Sequence, residues 1–394
     1  MKRVVFVVDH FYSDQAGTEN QLSKLIRGLA SRFDLELITF RDSEWARTTA
    51  KLPCRITVFQ IDKFTRLYTY RNLFRFLRHL RARRPHVVHT FFPVANILGV
   101  LCARLAGVPA IVASRRDYGE WMSARYLYAT RIANRFATGI VANSHEVKRL
   151  TERVEGFSGD RIEVIYNGIA LERFGRKTDP CSIKSTLGIP ETHKVVGLVA
   201  NYRPMKRHDT FVRAAAQILR RRDDISFLLL GKNAFRGNPK KRVEDLVTAL
   251  GVGHRVHFSH AAGNVQDYLA LIDVGVNCSE GEGLSNAIME YMAAGVPCVV
   301  SDSGGNPDLI TDGVHGYTFP VGDSDALAQK ILRMLDDEPA RRRFTERAYA
   351  RVRDEMSVEA MLDHFTRYYT GLTEKAAPSG AHIPGKTAKS ETRG

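Results

Sequence analysis

Two glutamates, with a glycine between them, are the residues of this chain best placed for ligand chemistry. Glu282 and Glu290 lie in the stretch SEGEGLSNAIMEYMAAGVP, residues 279–297. Apolar residues from Leu284 onward recur at helical spacing, which predicts that a loop carrying the first carboxylate runs into a short helix carrying the second. Eight helical positions rise about 12 Å, roughly the span from a sugar ring to a nucleotide ribose.

The chemistry that this pattern favours is the binding of a sugar nucleotide. Glu282 can accept hydrogen bonds from the hydroxyls of a donor sugar, and Glu290 from those of a ribose. Backbone N–H groups of Gly283, Leu284 and Ser285, near the start of the helix, can bind a diphosphate between the two carboxylates. The alternative is a surface helix with two solvated glutamates, because such pairs are common in proteins.

A basic pair, Arg203 and Lys206, follows the predicted strand Val195–Val199 and precedes a predicted helix. Ligands of open α/β sheets bind at the carboxyl ends of strands, and two cations there can stabilise a leaving diphosphate. The alternative is a pair of ordinary surface charges at a helix start. Asp323 and Asp325 form the only Asp-x-Asp of the chain. They precede an apolar-periodic helix, which favours a helix cap over a metal site.

Short apolar runs alternate with helical patterns along the whole chain, which predicts parallel sheets covered by helices on both faces. The alternation pauses in a stretch rich in Gly and Pro and then begins again. The predicted architecture is therefore α/β, with two Rossmann-like, doubly wound domains facing a cleft. The expected segments are an N-terminal domain at 1–168, a linker at 169–192, a C-terminal domain at 193–350, a helix crossing back to the N-terminal domain at 351–374 and a disordered tail at 375–394.

Several motifs, in the same order along the chain, resemble the retaining glycosyltransferases of family 4, which have the GT-B fold. The motifs are Ala16-Gly17-Thr18-Glu19, Pro85-His-Val-Val-His89, Tyr166-Asn167-Gly168-Ile169 with Arg173-Phe174, Arg203-Pro-Met-Lys206, the Glu282–Glu290 segment and Gly304-Gly305-Asn306-Pro307. The resemblance covers nearly the whole chain up to about residue 370 and is closer in the C-terminal half. It implies transfer of a sugar from a nucleotide donor, bound by the C-terminal domain, to an acceptor bound by the N-terminal domain.

The resemblance also implies roles for individual residues. Glu282, Arg203 and Lys206 are expected to act in catalysis, and Glu290 and the backbone of residues 283–285 in donor binding. Gly17 is expected to let the backbone approach the substrates from across the cleft. Further candidate substrate contacts are His89 at a strand end and, for the nucleotide base, Lys232 and the strand Val256–Phe258. No cofactor and no metal are expected beyond the nucleotide-sugar donor itself.

One position departs from the family pattern. Many members place a histidine after the strand equivalent to Ile111–Ser114, where it reaches the reacting sugar. This chain has Arg115-Arg116-Asp117 at that place. Arg115 or Asp117 is therefore expected to supply the polar contact.

Charge is distributed unevenly along the chain. Residues 1–170 carry 27 Lys and Arg against 15 Asp and Glu, a net charge of +12 out of a total of +15. No acid occurs between Asp62 and Asp117, and the arginines of Phe64–Arg84 interleave with aromatic and aliphatic residues. A basic amphipathic helix of this kind favours an anionic membrane surface. The alternatives are a crossover helix with a solvated basic face and, less favoured because no nucleic-acid-binding motif accompanies the charge, a nucleic-acid site.

The remaining features predict a protein of the cytoplasm, and the basic segment adds the expectation of a peripheral position on the cytoplasmic face of the inner membrane. The apolar run at Val4–Val8 is too short for a signal peptide, and no run approaches the roughly 20 residues of a membrane span. Five scattered cysteines predict neither disulfides nor a zinc site. The function expected is sugar transfer to a glycan or lipid-linked acceptor. The alternatives are a nucleotide-sugar epimerase and a non-enzymatic protein that binds an anionic polymer.

Overall fold

The computed structural model describes residues 1–14, 17–63, 65–117, 119, 123–174, 179–233, 237–260 and 264–375. Ala16 of the first motif, Phe64 of the basic segment, residues 175–178 of the expected linker and residues 376–394 of the expected tail lie outside the described residues. Two β-sheets, each flanked by helices, account for most of the rest.

Apart from two three-residue strands that the periodicity did not reveal, Ile162–Val164 and Tyr317–Phe319, the strands match the alternation seen in the sequence. They are β1 (Arg3–Val8), β2 (Asp34–Thr39), β3 (Arg55–Val58), β4 (Val87–Phe91), β5 (Ala110–Arg115), β6 (Gly139–Ala142), β7 (Ile162–Val164), β8 (Lys194–Val199), β9 (Ile225–Leu230), β10 (Val256–Ser259), β11 (Val274–Asn277), β12 (Cys298–Ser301) and β13 (Tyr317–Phe319). The first seven form one sheet, in the order β3-β2-β1-β4-β5-β6-β7, and the last six form another, in the order β10-β9-β8-β11-β12-β13. All named pairs are parallel, so the predicted pair of doubly wound domains is confirmed.

The helices cover both faces of each sheet. They are α1 (Gly17–Leu29), α2 (Glu44–Thr48), α3 (Leu67–Arg83), α4 (Val100–Leu105), α5 (Ala124–Asn134), α6 (His145–Leu150), α7 (Pro180–Leu187), α8 (His208–Leu219), α9 (Pro239–Ala249), α10 (Val265–Leu269), α11 (Asn286–Ala294), α12 (Asn306–Leu309), α13 (Ser324–Asp336), α14 (Glu338–Met356) and α15 (Val358–Lys375). A π-helical turn at Ala95–Gly99 precedes α4. None of the helices in the described ranges is long and apolar enough to span a bilayer.

The expected linker at 169–192 contains a helix that the periodicity did not reveal. Asp179 accepts hydrogen bonds from the backbone N–H groups of Cys181 and Ser182, and Gly188 ends α7 in the left-handed conformation. Pro180 stands at the first helical position, where its missing N–H costs nothing. These cap signals were present in the sequence, but the helix is only eight residues long and exposes most of its surface.

The last helix, α15, packs against the N-terminal sheet although it follows the C-terminal domain in sequence. Phe365 and Tyr369 are buried in the same apolar cluster as Phe6. The Tyr369 hydroxyl lies 2.6 Å from Nδ1 of His89, whose Nε2 lies 2.8 Å from the Ser114 hydroxyl. Helix α15 therefore connects the C-terminal domain to the N-terminal sheet, through apolar contacts around the buried His89.

A buried carboxylate fixes α3 to the edge of the same sheet. Glu36 on β2 has no exposed side-chain surface, and its oxygens lie 2.9 Å from Nε2 of His79 and 3.0 Å from Nε of Arg83. Burial by itself would raise the pKa of Glu36, but the hydrogen bonds of His79 and Thr57, together with the charge of Arg83, lower it to about 2. The face of α3 that carries Leu67, Tyr70 and Phe74 is exposed.

Candidate active site

A large cavity lies between the two domains, at the carboxyl ends of β1 and β8. It has a volume of about 720 Å³, ample for a nucleotide sugar. Residues lining it include Gly17 and Lys24 of α1, Arg173 after the domain junction, and Asn201, Lys232 and Glu290 of the C-terminal domain. Open α/β sheets bind ligands at this edge, so the position fits the predicted donor site.

The loop that carries Glu282 lies directly after β11 and leads into α11. Glu282 accepts hydrogen bonds from the Lys206 ammonium and the Ser279 hydroxyl. Its side chain is only 13% exposed. Burial alone would raise the pKa of Glu282, but the charge and hydrogen bond of Lys206 bring it below its ordinary value. The structure therefore brings together the carboxylate and the cation predicted to act on the donor sugar and its diphosphate.

A network of buried side chains under this loop went unnoticed in the sequence. Asn277 donates to the Ser285 hydroxyl at 3.0 Å and accepts from the Ser279 N–H at 3.0 Å. The Ser301 hydroxyl donates to the Ser279 carbonyl at 2.6 Å, and Asn306 donates to the Ser301 hydroxyl at 3.1 Å. The loop is thus held in place from two neighbouring strand ends.

Gly304 and Gly305 contact the backbone of the loop at Glu282. The Gly305 N–H donates to the Glu282 carbonyl at 2.8 Å. Gly304 has a φ of +59°, and a Cβ there would lie 2.5 Å from the Glu282 carbonyl oxygen. Only glycine combines this backbone conformation with such a close approach.

Helix α11 begins at Asn286. The sequence-based estimate of a rise of about 12 Å assumed that the helix already included Glu282. Glu282 lies in the loop, so that helical rise does not describe their separation. Ser285 occupies the cap position, but its hydroxyl is bonded to Asn277, and no side chain in the described residues caps α11. The backbone N–H groups at the helix start therefore have no side-chain partner, as an anion site requires.

Glu290 faces two cations, Arg173 of the domain-junction motif and Lys24, which the sequence did not single out. Burial raises the pKa of Glu290 to about 7, although the charges of Arg173 and Lys24 favour its ionised form. Burial, and then the charge of Arg173, lowers the pKa of Lys24 to about 8. Lys24 also donates to the Gly168 carbonyl at 2.7 Å. The position of Lys24 on α1 shows no signal in the sequence, because helical spacing cannot say which residue lies opposite.

The other predicted contacts divide into two groups. Gly17, with a φ of +34°, and Lys232 line the cleft. Gly283 and Leu284 are buried in the loop. Arg203 lies after β8, as expected, but it is exposed and is not among the residues lining the cleft.

Three expectations need correction. His89 is fully buried with both ring nitrogens engaged, so it orders α15 and does not reach a ligand. The Arg115 guanidinium is held by Glu155 at 2.7 Å and does not line the cleft. Val256 is buried in the C-terminal core, and the strand Val256–Phe258 does not line the cleft either.

The Asp-x-Asp is confirmed as a helix cap. Asp323 accepts hydrogen bonds from the N–H groups of Asp325 and Ala326 at the start of α13. In the described part of the chain, no cluster of three or more His, Cys, Asp or Glu side chains is arranged to hold a metal ion.

Two parallel-sheet domains with a cation-lined and carboxylate-lined cleft between them define the class of GT-B glycosyltransferases. The model of the family "Glycosyltransferase Family 4" matches residues 16–173, and that of "Glycosyl transferases group 1" matches residues 182–351. Together the two models match most of the chain, which belongs to the family 4 type of group 1 glycosyltransferases.

Curated relatives match only parts of the chain. N-acetyl-alpha-D-glucosaminyl L-malate synthase of Bacillus anthracis is 32% identical over 236 residues, which are 60% of this chain and 60% of that protein. UDP-Gal:alpha-D-GlcNAc-diphosphoundecaprenol alpha-1,3-galactosyltransferase of Escherichia coli is 26% identical over 277 residues, 68% of this chain and 71% of that protein. The chain therefore spans less than two thirds of the first of these relatives.

A solved structure matches the fold along nearly the whole chain, although its sequence identity is low. The structure of Anabaena Alr3699/HepE in complex with UDP has a TM-score of 0.83 and 21% identity, covering 94% of this chain and 100% of that one. At this identity the likeness establishes the fold alone.

Proposed function

We propose that this protein transfers a sugar from a nucleoside-diphosphate donor to a glycan or lipid-linked acceptor, with retention of anomeric configuration and without a metal. The observation that carries the proposal is the cleft itself. Glu282, which Lys206 contacts, the uncapped start of α11 and the half-buried Glu290 follow one another along one segment. Their order fits the donor sugar, the diphosphate and the ribose. Asn286 and Glu290 of this segment line the cavity, whereas Glu282 and Lys206 are not among its lining residues.

The reaction needs few protein groups. The bond from the sugar C1 to the diphosphate oxygen breaks, and its electron pair leaves with the diphosphate. The acceptor oxygen forms its bond to C1 on the same face, and its proton passes to the departing phosphate oxygen. Lys206 and the N–H groups at the start of α11 stabilise the charge that develops there, which is the work a metal does elsewhere. Glu282 orients the sugar.

Support for the substrate classes comes from the relatives. The Escherichia coli relative is named for a UDP-galactose donor and a diphosphoundecaprenol-linked acceptor, and the Anabaena structure contains UDP. We therefore favour a UDP-sugar donor and a lipid-linked acceptor. The epimerase and polymer-binding alternatives lack support, because both family models describe glycosyltransferases and the Escherichia coli relative is named as a galactosyltransferase.

A thermal-shift panel of UDP-, GDP-, ADP- and dTDP-sugars in EDTA tests the donor site. One nucleotide class should raise the melting temperature of the wild type, because it binds only the folded protein. The same ligand should have no effect on Glu290→Ala. No shift with any nucleotide, with or without added metal, would refute the donor site. NMR of the product's anomeric proton then tests retention.

The exposed face of α3 supports association with an anionic membrane. Leu67, Tyr70 and Phe74 are 84%, 55% and 58% exposed, and Arg71 and Arg75 lie beside them. Such a face can place apolar groups at the acyl boundary and arginines among the headgroups. A lipid-linked acceptor would then be presented at the N-terminal domain, on the cytoplasmic face of the membrane.

Liposome flotation tests this surface. The double variant Arg71→Gln/Arg75→Gln removes two charges worth about 1 kcal/mol each near an anionic surface, so binding should weaken about 30-fold. Arg343→Gln/Arg347→Gln is the matched control, with the same spacing on an exposed face of α14. Equal binding of wild type to neutral and anionic vesicles would reject the membrane surface.

A further inference from the structure

Two neighbouring arginines at the end of β5 have opposite surroundings. Arg115 is fully engaged, with Glu155 at 2.7 and 2.8 Å, Asn134 at 3.0 Å and the Ser114 carbonyl at 3.1 Å. Arg116 has a single hydrogen-bond acceptor among the described residues, the Asn167 side chain. The second guanidinium therefore keeps most of its five donors unused.

Arg116 also has no acidic partner in the part of the chain that the structure describes. No carboxylate of the described residues forms an ion pair with it, whereas Arg115 has Glu155. Burial lowers the pKa of Arg116 to about 10, so it remains a cation at neutral pH. A desolvated cation without a counter-ion is costly, and an anion bound beside it would offset that cost.

The position of Arg116 indicates which anion would bind beside it. Its one partner, Asn167, donates to the side chain of Asn286, the first residue of α11, at 2.9 Å. The Arg116 carbonyl accepts from Asn143 at 3.1 Å, and a Cβ on Gly283 would lie 2.5 Å from that carbonyl. Arg116 itself lines a smaller cavity of the N-terminal domain. Its guanidinium is connected through Asn167 to the start of α11, and its carbonyl lies against the loop, the two features predicted to bind the diphosphate.

We propose that Arg116 binds the diphosphate of the donor from the N-terminal domain, opposite the start of α11. This inference rests on the proposed function. When the bond from C1 to the diphosphate oxygen breaks, the electron pair moves onto that oxygen, and the guanidinium stabilises the negative charge. Because Arg116 and α11 belong to different domains, the diphosphate is fully bound only when both domains contact it.

The test compares Arg116→Gln and Arg116→Lys with the wild type and with Arg135→Gln, an exposed arginine of the same domain. Binding of UDP, GDP, ADP and dTDP, and of the matching nucleosides, is measured by calorimetry, and kcat/KM is measured for donor and acceptor. Arg116→Gln should lower donor kcat/KM about 100-fold, the usual effect of removing one oxyanion donor. It should weaken diphosphate binding and leave nucleoside binding unchanged, and Arg116→Lys should recover part of the loss.

The melting temperature of the ligand-free protein separates binding from a structural role. Arg116→Gln removes an unpaired charge, so its ligand-free melting temperature should be no lower than that of the wild type. A lower melting temperature with unchanged diphosphate affinity would overturn the inference, as would a change confined to the acceptor KM, which would assign the anion to the acceptor. A wild type that binds no nucleoside diphosphate would refute the proposed function itself. A wild type that binds one, with Arg116→Gln binding it equally well, would refute only the role of Arg116.

Discussion

Gly283 lies where the loop that carries Glu282 touches the N-terminal domain, and adding one methyl group there should impair catalysis without unfolding the protein. A Cβ on Gly283 would lie 2.5 Å from the Arg116 carbonyl oxygen and 3.1 Å from Oδ1 of Asn143. Ordinary contacts of this kind begin at 3.4 Å. In Gly283→Ala, the loop and the N-terminal domain must therefore separate by about 1 Å.

The size of the effect follows from that displacement. A 1 Å misplacement of catalytic groups can cost about 100-fold in rate, which corresponds to about 2.7 kcal/mol in the activation barrier. The clash lies between the two domains and not within the apolar core of either one. We therefore expect the free energy of unfolding to change by less than about 1 kcal/mol, or roughly 2–4 °C in Tm for domains of this size.

Steady-state kinetics and thermal unfolding of Gly283→Ala together test this reasoning. Gly253→Ala is the control, because a Cβ there would meet nothing closer than a Val247 methyl at 3.8 Å. The control should keep wild-type kcat/KM and Tm. Full activity in Gly283→Ala would refute the argument, and so would a loss of Tm large enough to explain the lost activity.

Three further outcomes follow from buried groups. Burial raises the pKa of Glu290 to about 7. The donor KM should therefore rise up to tenfold per unit as the pH falls below about 7, and Glu290→Gln should abolish this dependence in a pH series of KM. Glu36 has its pKa lowered from 4.5 to about 2, so Glu36→Gln should cost about 3 kcal/mol in urea unfolding at pH 7. That stability is present above pH 4.5 and lost as the pH falls towards 2, so an equal deficit at pH 2 would contradict it. Tyr369→Phe should cost about 1–3 kcal/mol by leaving a buried nitrogen of His89 unpaired, and an unchanged urea midpoint would contradict this.

Sequence periodicity predicted the sheets well, because their strands are buried on both faces. Val4–Val8, for example, reads as one apolar run, and all five residues are fully buried. The edge strands β7 and β13 were missed, since three residues are too few to show a period. The cap at Asp323 was recognisable because a capping contact spans only two or three residues of chain.

The candidate site was predicted only in part. Glu282 and Lys206 were assigned to one ligand from motifs alone, and the structure adds that they contact each other. Arg115 or Asp117 was predicted and Arg116 was left out, because nothing in three consecutive polar residues shows which side chain is already paired. Glu155, which pairs with Arg115, lies 40 positions away in the chain. The packing of α5 and the segment after α6 places this carboxylate beside Arg115, so Arg115 is the arginine that is already paired.

By itself, the sequence determined the two doubly wound domains, the carboxylate-bearing segment at Glu282–Glu290 and the cap of α13. These depend on local periodicity and on contacts between near neighbours in the chain. Only the tertiary structure placed Lys24 of α1 opposite Glu290 and left Arg116 without an acid among the described residues. The physical reason is that the charge, burial and hydrogen-bond partners of a side chain are set by segments that are distant in sequence and meet only when the domains pack.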